Sequence, residues 1–372
     1  MRIEKLYFKD MSNKIEINIE CFSKFTLLVG VSGVGKTHII RSIRTLKDIV
    51  TGNTEGLEGV EWSITFAMKE DEYIWNGKFE STKDSSRSAR YVDMDGPISL
   101  PNINKETLLI NGEIIVDRAT SRVVFKGVKT PKVSMYKSFV SLFSEEKGIN
   151  TVYEEVMKIY RFDYETERKI LLASTSLNDL TNAKRYETIS DLIKEHKPLI
   201  HKFGALYNLF PKQFNEIKRR FKAIFPNVTD IKFSDDFDDE MYLLMLKEKG
   251  TPWIPQYEFS SGMYKTLMVL VELMLIEDGS TILMDEIENS LGVNCIDEVV
   301  DEVLMTDRDI QLIATSHHPY IINSIDMSNW RIVTRVGSKI NVRKADDINL
   351  GKSRHDAFKQ LINSSVYMGI TK

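Results

Sequence analysis

The sequence predicts an α/β fold: a mixed sheet with flanking helices, a β-rich lobe and a helical insertion. Three observations predict it. The apolar run Phe25-Thr-Leu-Leu-Val29 feeds a glycine-rich turn, Gly30-Val-Ser-Gly33-Val-Gly35-Lys36-Thr37. His38-Ile39-Ile40-Arg41-Ser42-Ile43 then places its apolar residues at helical spacing, so the stretch reads strand, loop, helix. Residues 60–125 are rich in β-type runs, whereas Met135 to Phe225 is helical in pattern, with few glycines and with prolines at 198 and 211.

Taken in order, residues 2–8 read as a strand. Residues 14–21, where Ile15, Ile17, Ile19 and Cys21 alternate with polar residues, read as its antiparallel neighbour. Strand 25–29 and helix 36–50 follow, then a polar loop from Thr51 to Gly59. The β-rich part offers strands Trp62–Met68, Tyr73–Phe79, Leu108–Ile110, Ile114–Asp117 and Val123–Phe125. Asn111-Gly112 is a strong hairpin signal between two of them, and Ser81 to Arg90 is a polar loop. After the helical segment, strands Asp230–Phe233 and Tyr242–Lys247 flank the acidic turn Ser234–Glu240. An apolar helix over 263–276, a short buried strand Thr281–Met284 and an acidic amphipathic helix over 293–305 come next. The pattern closes with a buried strand Ile310–Ala314, a hairpin of Arg331–Arg335 and Lys339–Arg343, and a helical tail from Arg354 to Met368. The expected domains are 1–136 with 226–372, interrupted by a helical insertion over 137–225.

With 372 residues and 42% hydrophobic content the chain has ample material for a core. A net charge of −4 does not mark a globally basic nucleic-acid binder, so any such surface is local. From Thr181 to Phe225 ten Lys/Arg stand against four Asp/Glu, densest at Lys218-Arg219-Arg220-Phe221-Lys222. That excess suits either a patch for nucleic acid or an acidic partner, or a solvated helical face. Cys21 and Cys295 are far apart and form no metal-ligand pattern, which fits a reducing, cytoplasmic setting. No apolar run approaches the roughly 20 residues needed to span a bilayer, so no membrane partner is expected.

Chemistry concentrates at four places. The turn Gly30, Val31, Ser32, Gly33, Val34, Gly35, Lys36, Thr37 fits G-x-x-x-x-G-K-[ST]. Its glycines let the backbone approach phosphates, and its N–H groups form an anion nest at a helix N-terminus. Lys36 then reaches the outer phosphates and the Thr37 hydroxyl binds Mg. The strand Thr281–Met284 ends in Asp285 and Glu286: the first acid suits the metal, the second an attacking water. Ser260, Ser261 and Gly262 stand at the start of the apolar helix, as a second anion element or a plain serine cap. Two phosphate-binding elements do not easily face each other within one fold. A head-to-tail pair of chains solves this, each nucleotide being covered by the partner's serine-glycine element. Finally Ala314-Thr315-Ser316-His317-His318-Pro319 places a histidine just past a strand end, where it could sense a γ-phosphate.

Together these elements resemble the nucleotide-binding head of ABC-type ATPases. Gly30–Thr37 looks like Walker A, Phe259–Met263 like the signature motif, Ile282–Glu286 like Walker B, Glu288–Leu291 like the D-loop, and His317 like the switch histidine. Within that superfamily the opening Met-Arg-Ile-Glu-Lys-Leu, the Ser-Ser-Gly signature and Asp-Glu-Ile-Glu-Asn-Ser-Leu resemble the OLD-like and SMC-like branch, without a fused Toprim nuclease. The resemblance implies ATP and Mg as ligands, Lys36, Glu286 and His317 as catalytic residues, and Thr37 and Asp285 as metal ligands. It also implies an ATP-dependent homodimer or larger homo-oligomer that switches a separate effector, a nuclease or toxin, in bacterial anti-phage defence. The alternative is a DNA-repair ATPase similar to RecF, clamping DNA through 181–225. The sequence departs from the family where a Q-loop glutamine is expected, near 125–145: none lies there, and Ser134 and Ser138 are the residues that could stand in. Gly292 replaces the usual Asp or His after the D-loop leucine, and Ser32 stands where the OLD branch often has Asn.

Overall fold

A computed structural model describes residues 1–81, 100–120, 122–162, 186–194, 197–237, 241–290 and 308–347, with 296, 300 and 360 besides. Most of the helix expected over 293–305, most of the helical tail and almost all of the Ser81–Arg90 loop lie outside these residues, as do Leu291, Gly292 and Cys295. In chain order the first elements are β1 (Arg2–Asp10), β2 (Ile15–Ile19), β3 (Phe25–Val29) and α1 (Lys36–Thr51). Then come β4 (Val60–Met68), β5 (Asp71–Phe79), β6 (Ile103–Ile110), β7 (Glu113–Ala119), β8 (Arg122–Phe125) and β9 (Val128–Lys129). The helical stretch holds α2 (Phe139–Leu142), α3 (Ile149–Met157), α4 (Ile189–Lys194), α5 (Leu199–Leu209) and α6 (Pro211–Ile224), with the strand β10 (Ile159–Arg161) after α3. The last third contains β11 (Val228–Phe237), β12 (Met241–Glu248), β13 (Trp253–Pro255), α7 (Ser261–Leu275), β14 (Thr281–Met284), α8 (Ile287–Ser290), β15 (Gln311–Ser316), α9 (Pro319–Ser324), β16 (Trp330–Val336) and β17 (Lys339–Lys344).

The chain divides into two compact units. The first comprises 1–161, 279–285 and 309–372; the second comprises 162–278 and 286–308. The first unit is built on one sheet, ordered β10-β14-β15-β3-β16-β17-β2-β1-β4-β5-β6-β7-β8-β9 among the described residues. From β10 to β16 neighbours run parallel. Strands β3, β14 and β15 are buried at every position, as a parallel sheet covered on both faces demands. From β1 through β4 to β9 the sheet is an antiparallel meander, the β-rich lobe. Its core is aromatic: Trp62 meets Trp75 edge-on with ring centroids 5.5 Å apart and lies 5.4 Å from Phe79. Gly77, opposite Trp62 in the register, makes room for it, since a Cβ there would lie 2.1 Å from the indole. The Asn111-Gly112 turn has φ of 51° and 81°, as a two-residue hairpin with both central residues left-handed requires.

Several elements depart from the sequence reading. β11 continues through Ser234–Phe237, part of the stretch read as an acidic turn, where Phe237 pairs with Met241, and β13 is an unexpected strand. Ile159–Arg161 lies in the stretch read as helical, yet it pairs parallel with β14, Tyr160 opposite Ile282. Lys47 of α1 helps to hold it there, donating to the carbonyls of Met157 (2.7 Å) and Ile159 (3.0 Å).

In the second unit, β11, β12 and β13 form an antiparallel sheet, and α5 and α6 pack on α7. Phe203 bridges these layers, 5.1 Å from Phe214 of α6 and 5.5 Å from Phe233 of β11. No helix among the described residues is long and apolar enough to cross a membrane.

Candidate nucleotide site

The sheet register builds the site. On the parallel strands Ser316 of β15 stands beside Val29 of β3, and Ala314 stands beside Met284 of β14. Three strand ends therefore come level. Gly30 leaves β3, Asp285 leaves β14, and Thr315, Ser316 and His317 end the strand between them. Ligand sites in open parallel sheets gather at such carboxyl ends.

The loop from Gly30 to Thr37 has the shape its glycines suggest. Gly33 and Gly35 take φ of 87° and 104°, a region L side chains avoid. At Gly30 a Cβ would meet the Val333 carbonyl oxygen at 2.5 Å, and at Gly35 the Ile340 Cδ1 at 2.3 Å. At these two positions the backbone is thus pressed against β16 and β17 and has no room for a side chain. Val34 is buried beneath the loop, Val31 is half-buried, and Ser32 and Gly33 are exposed on it. Gly35 caps α1 through its main chain, and the first turn of this 16-residue helix carries no acidic side chain. Its positive end is therefore not neutralised by a carboxylate of its own. Lys36 is buried, with Nζ donating to the carbonyls of Gly30 (2.7 Å) and Val31 (3.2 Å), so the loop curls around the ammonium. Next to Thr37, burial holds the His38 imidazole below its ordinary value, helped by Arg41 and Arg335 and opposed by Asp10.

Two hydroxyls converge on Asp285. Thr37 Oγ1 donates to Oδ1 at 3.2 Å, and Thr315 Oγ1 donates to the same oxygen at 2.7 Å. Sequence reasoning singled out Thr37 and Asp285 but not Thr315, whose role depends on the order of the strands. His317 is exposed one residue past β15; the Ser316 hydroxyl accepts from the His318 amide at 3.1 Å and shapes that turn. Lys36, Thr37, Asp285, Thr315 and His317 all belong to the first unit.

Glu286, Ser260, Ser261 and Gly262 belong to the second. Glu286, two residues past β14, is exposed with φ of 50°, an uncommon conformation for a side chain of its kind. Ser260 caps α7, its hydroxyl accepting from the Met263 amide at 3.2 Å. Ser260 and Ser261 are exposed, and a Cβ at Gly262 would meet nothing within 4 Å. Packing within the chain therefore does not explain that glycine.

The stand-in residues for the Q-loop glutamine fare unequally. Ser138 is fully buried; its hydroxyl donates to Glu106 and accepts from the Val140 amide at 3.0 Å, capping α2. Its bonding is taken up inside the lobe. Of the basic run on α6, Lys218 pairs with Asp230 at 2.9 Å and Arg219 with Glu216 at 2.6 Å, so that stretch is partly neutralised.

Among the described residues no group of three or more His, Cys, Asp and Glu is placed to hold a metal. Mg takes one or two carboxylates and completes its shell with phosphates and waters. The donor set present suits a Mg-triphosphate. It comprises a buried lysine, a hydroxyl beside a carboxylate, and a loop with no room for a Cβ at Gly30 or Gly35.

Residues 153–323 match the family model described as "AAA domain, putative AbiEii toxin, Type IV TA system". The match includes Ser260–Gly262, Asp285, Glu286 and His317 but ends short of the Gly30–Thr37 loop. Among solved structures, the Smc head bound to the C-winged helix domain of ScpA covers 92% of this chain and 97% of its own, at 15% identity with a TM-score of 0.56. The Smc head domain with an extended coiled coil bound to the C-terminal domain of ScpA, from Pyrococcus furiosus, gives 16% identity over 93% and 97% at 0.49. The SMC head domain from Thermotoga maritima gives 13% over 92% and 99% at 0.46. At such identities the first of these likenesses is one of fold: the chain has the P-loop ATPase fold of an SMC head. No curated protein sequence matches the chain.

Proposed function

We propose that the chain is an ABC-type ATPase that closes head-to-tail around Mg-ATP and so switches a separate effector. The observation that carries this reading is the shared oxygen of Asp285, held by Thr37 and Thr315 beside a loop that buries Lys36. A metal-ready carboxylate and a phosphate cradle meet there at the ends of β14 and β3, on either side of β15. Lys36 binds the outer phosphates, and Thr37 and Asp285 hold Mg. The cation, when bound, supplies charge neutralisation at the phosphates. Glu286 takes the proton of the attacking water, and His317 positions the γ-phosphate. Ser260, Ser261 and Gly262 of a second copy cover the nucleotide; their exposure and the open space at Gly262 support that part. Preorganised donors in a site that excludes water supply most of the rate enhancement in such chemistry.

The effector role in anti-phage defence rests on the OLD-like motifs and on the toxin system named in the matched family's description. Exposed Lys212, Arg219 and Lys222 on α6 favour DNA as the thing held instead. Reversing their charge, with Lys218 and Arg220, decides between the two. Loss of a steeply salt-dependent DNA affinity favours the clamp, and co-purification of a protein without DNA binding favours the effector switch.

Equilibrium binding and turnover of ATP test the core of the reading. Lys36→Ala is expected to abolish nucleotide binding. Glu286→Gln is expected to keep binding and lose hydrolysis by about 100-fold or more. Wild-type turnover in the Glu286 variant rejects it as the base.

A further inference from the structure

We infer that Thr315 is a positioning residue for the metal carboxylate: its hydroxyl fixes Asp285 beside Thr37 and thereby sets how much divalent cation the site needs. The inference rests on the Mg-nucleotide reading above and deepens it.

The argument begins with strand order. β15 lies between β14 and β3, and its register sets Thr315 level with Asp285 on one side and beside Leu28 on the other. Successive residues of a strand face opposite ways, and here they divide the work. Ser316 serves the turn to His318, while Thr315 serves the carboxylate. Thr315 is fully buried, and its bond to Oδ1, at 2.7 Å, is shorter than the 3.2 Å bond from Thr37.

A carboxylate at a strand end turns about two side-chain bonds. Thr37 holds it weakly, because in the bound state that hydroxyl also serves the metal. A second donor, buried and rigidly based on a central strand, holds the rotamer whatever Thr37 does. Outer partners of metal-binding carboxylates act in this way, and their loss typically costs 10–100-fold in metal affinity. Threonine also suits the place for stability, since a β-branched side chain packs well in a strand. Valine therefore copies its shape and removes only the hydroxyl.

The test uses the full chain and a fluorescent ATP analogue, with MgCl2 titrated and with EDTA as the metal-free arm. Thr315→Val should raise the Mg concentration for half-maximal nucleotide binding by about tenfold or more, and leave affinity in EDTA unchanged. Thr315→Ser, which keeps the hydroxyl, should restore the wild-type midpoint. Thr315→Ala runs beside the valine variant as a second hydroxyl-free form, and the Mg-dependent rise in unfolding temperature with nucleotide present gives a readout independent of fluorescence. An unchanged Mg midpoint in both hydroxyl-free variants overturns the inference. So does an equal loss of affinity with and without Mg, which marks a purely structural role. Asp285→Asn separates the two levels: if it too binds Mg-nucleotide as wild type does, the metal reading itself fails, and Thr315 fails with it.

Discussion

Glu106→Ala should destabilise the first unit by about 3–5 kcal/mol, the usual cost of removing one partner from a buried ion pair. Glu106 and Arg118 are 0% and 1% exposed and lie 3.6 Å apart inside the β-rich lobe. The carboxylate also accepts from Trp75 Nε1 at 3.1 Å, from the Phe139 amide at 3.0 Å and from the Ser138 hydroxyl. The guanidinium donates to the carbonyls of Lys137 (2.7 Å) and Ser134 (2.8 Å). The pair thus clamps the segment 134–139 onto the lobe. Alanine would leave a buried guanidinium facing only neutral carbonyls, and would orphan an indole N–H and a main-chain N–H. At about 2–4 °C per kcal/mol for a unit of this size, the unfolding midpoint should fall by about 6–20 °C. Thermal and urea unfolding of Glu106→Ala, Arg118→Met and the double variant measure both the loss and the coupling. The two changes should be far from additive, because removing both charges leaves no unpaired ion. A loss under about 1 kcal/mol, or simple additivity, would refute the clamp.

Three further outcomes are expected. Gly35→Ala forces a side chain into a left-handed turn and against Ile340, so it should cost about 2–4 kcal/mol and weaken nucleotide binding. Adding Ile340→Val should recover part of the stability, since the overlap is with Cδ1. The lowered pKa of His38 means that the unfolded chain takes up its proton first as pH falls. Stability from this group is therefore present above its ordinary value near 6.5 and is lost as pH falls below it. His38→Gln should flatten that slope in urea unfolding followed as a function of pH. Gly262→Val should leave thermal stability within about 1 kcal/mol, since the position opens to free space; loss of ATP hydrolysis in a protein that still binds nucleotide would place the glycine at the partner's site.

Much of this was legible in the sequence, for a physical reason. The loop Gly30–Thr37, the strand ending in Asp285 and the Ser260 cap are local devices, each written in consecutive residues that need particular backbone shapes. The alternation of β2 and the Asn111-Gly112 turn are local in the same way. What escaped depends on distant parts of the chain. β10 is three residues long and exists because β14 offers an edge and Lys47 holds its carbonyls. Thr315 acquires its role only when β15 lies between β3 and β14. Glu106 precedes the strand read over Leu108–Ile110 and carries no local sign of burial; Arg118 and the 134–139 segment bury it. The same closure, which no local pattern shows, takes up the hydroxyl of Ser138, a residue that could stand in for the Q-loop glutamine.

The account depends on a nucleotide site shared between two chains, and mixing two inactive variants tests it most directly. Lys36→Ala lacks the phosphate lysine but keeps an intact Ser260–Gly262 element; Ser260→Arg has the reverse defect. Each alone should fail to hydrolyse ATP. Mixed, they should regain turnover, because one of the two shared sites then has an intact half from each chain. A mixture as inactive as its components, with both proteins folded and shown to associate, would contradict the shared site.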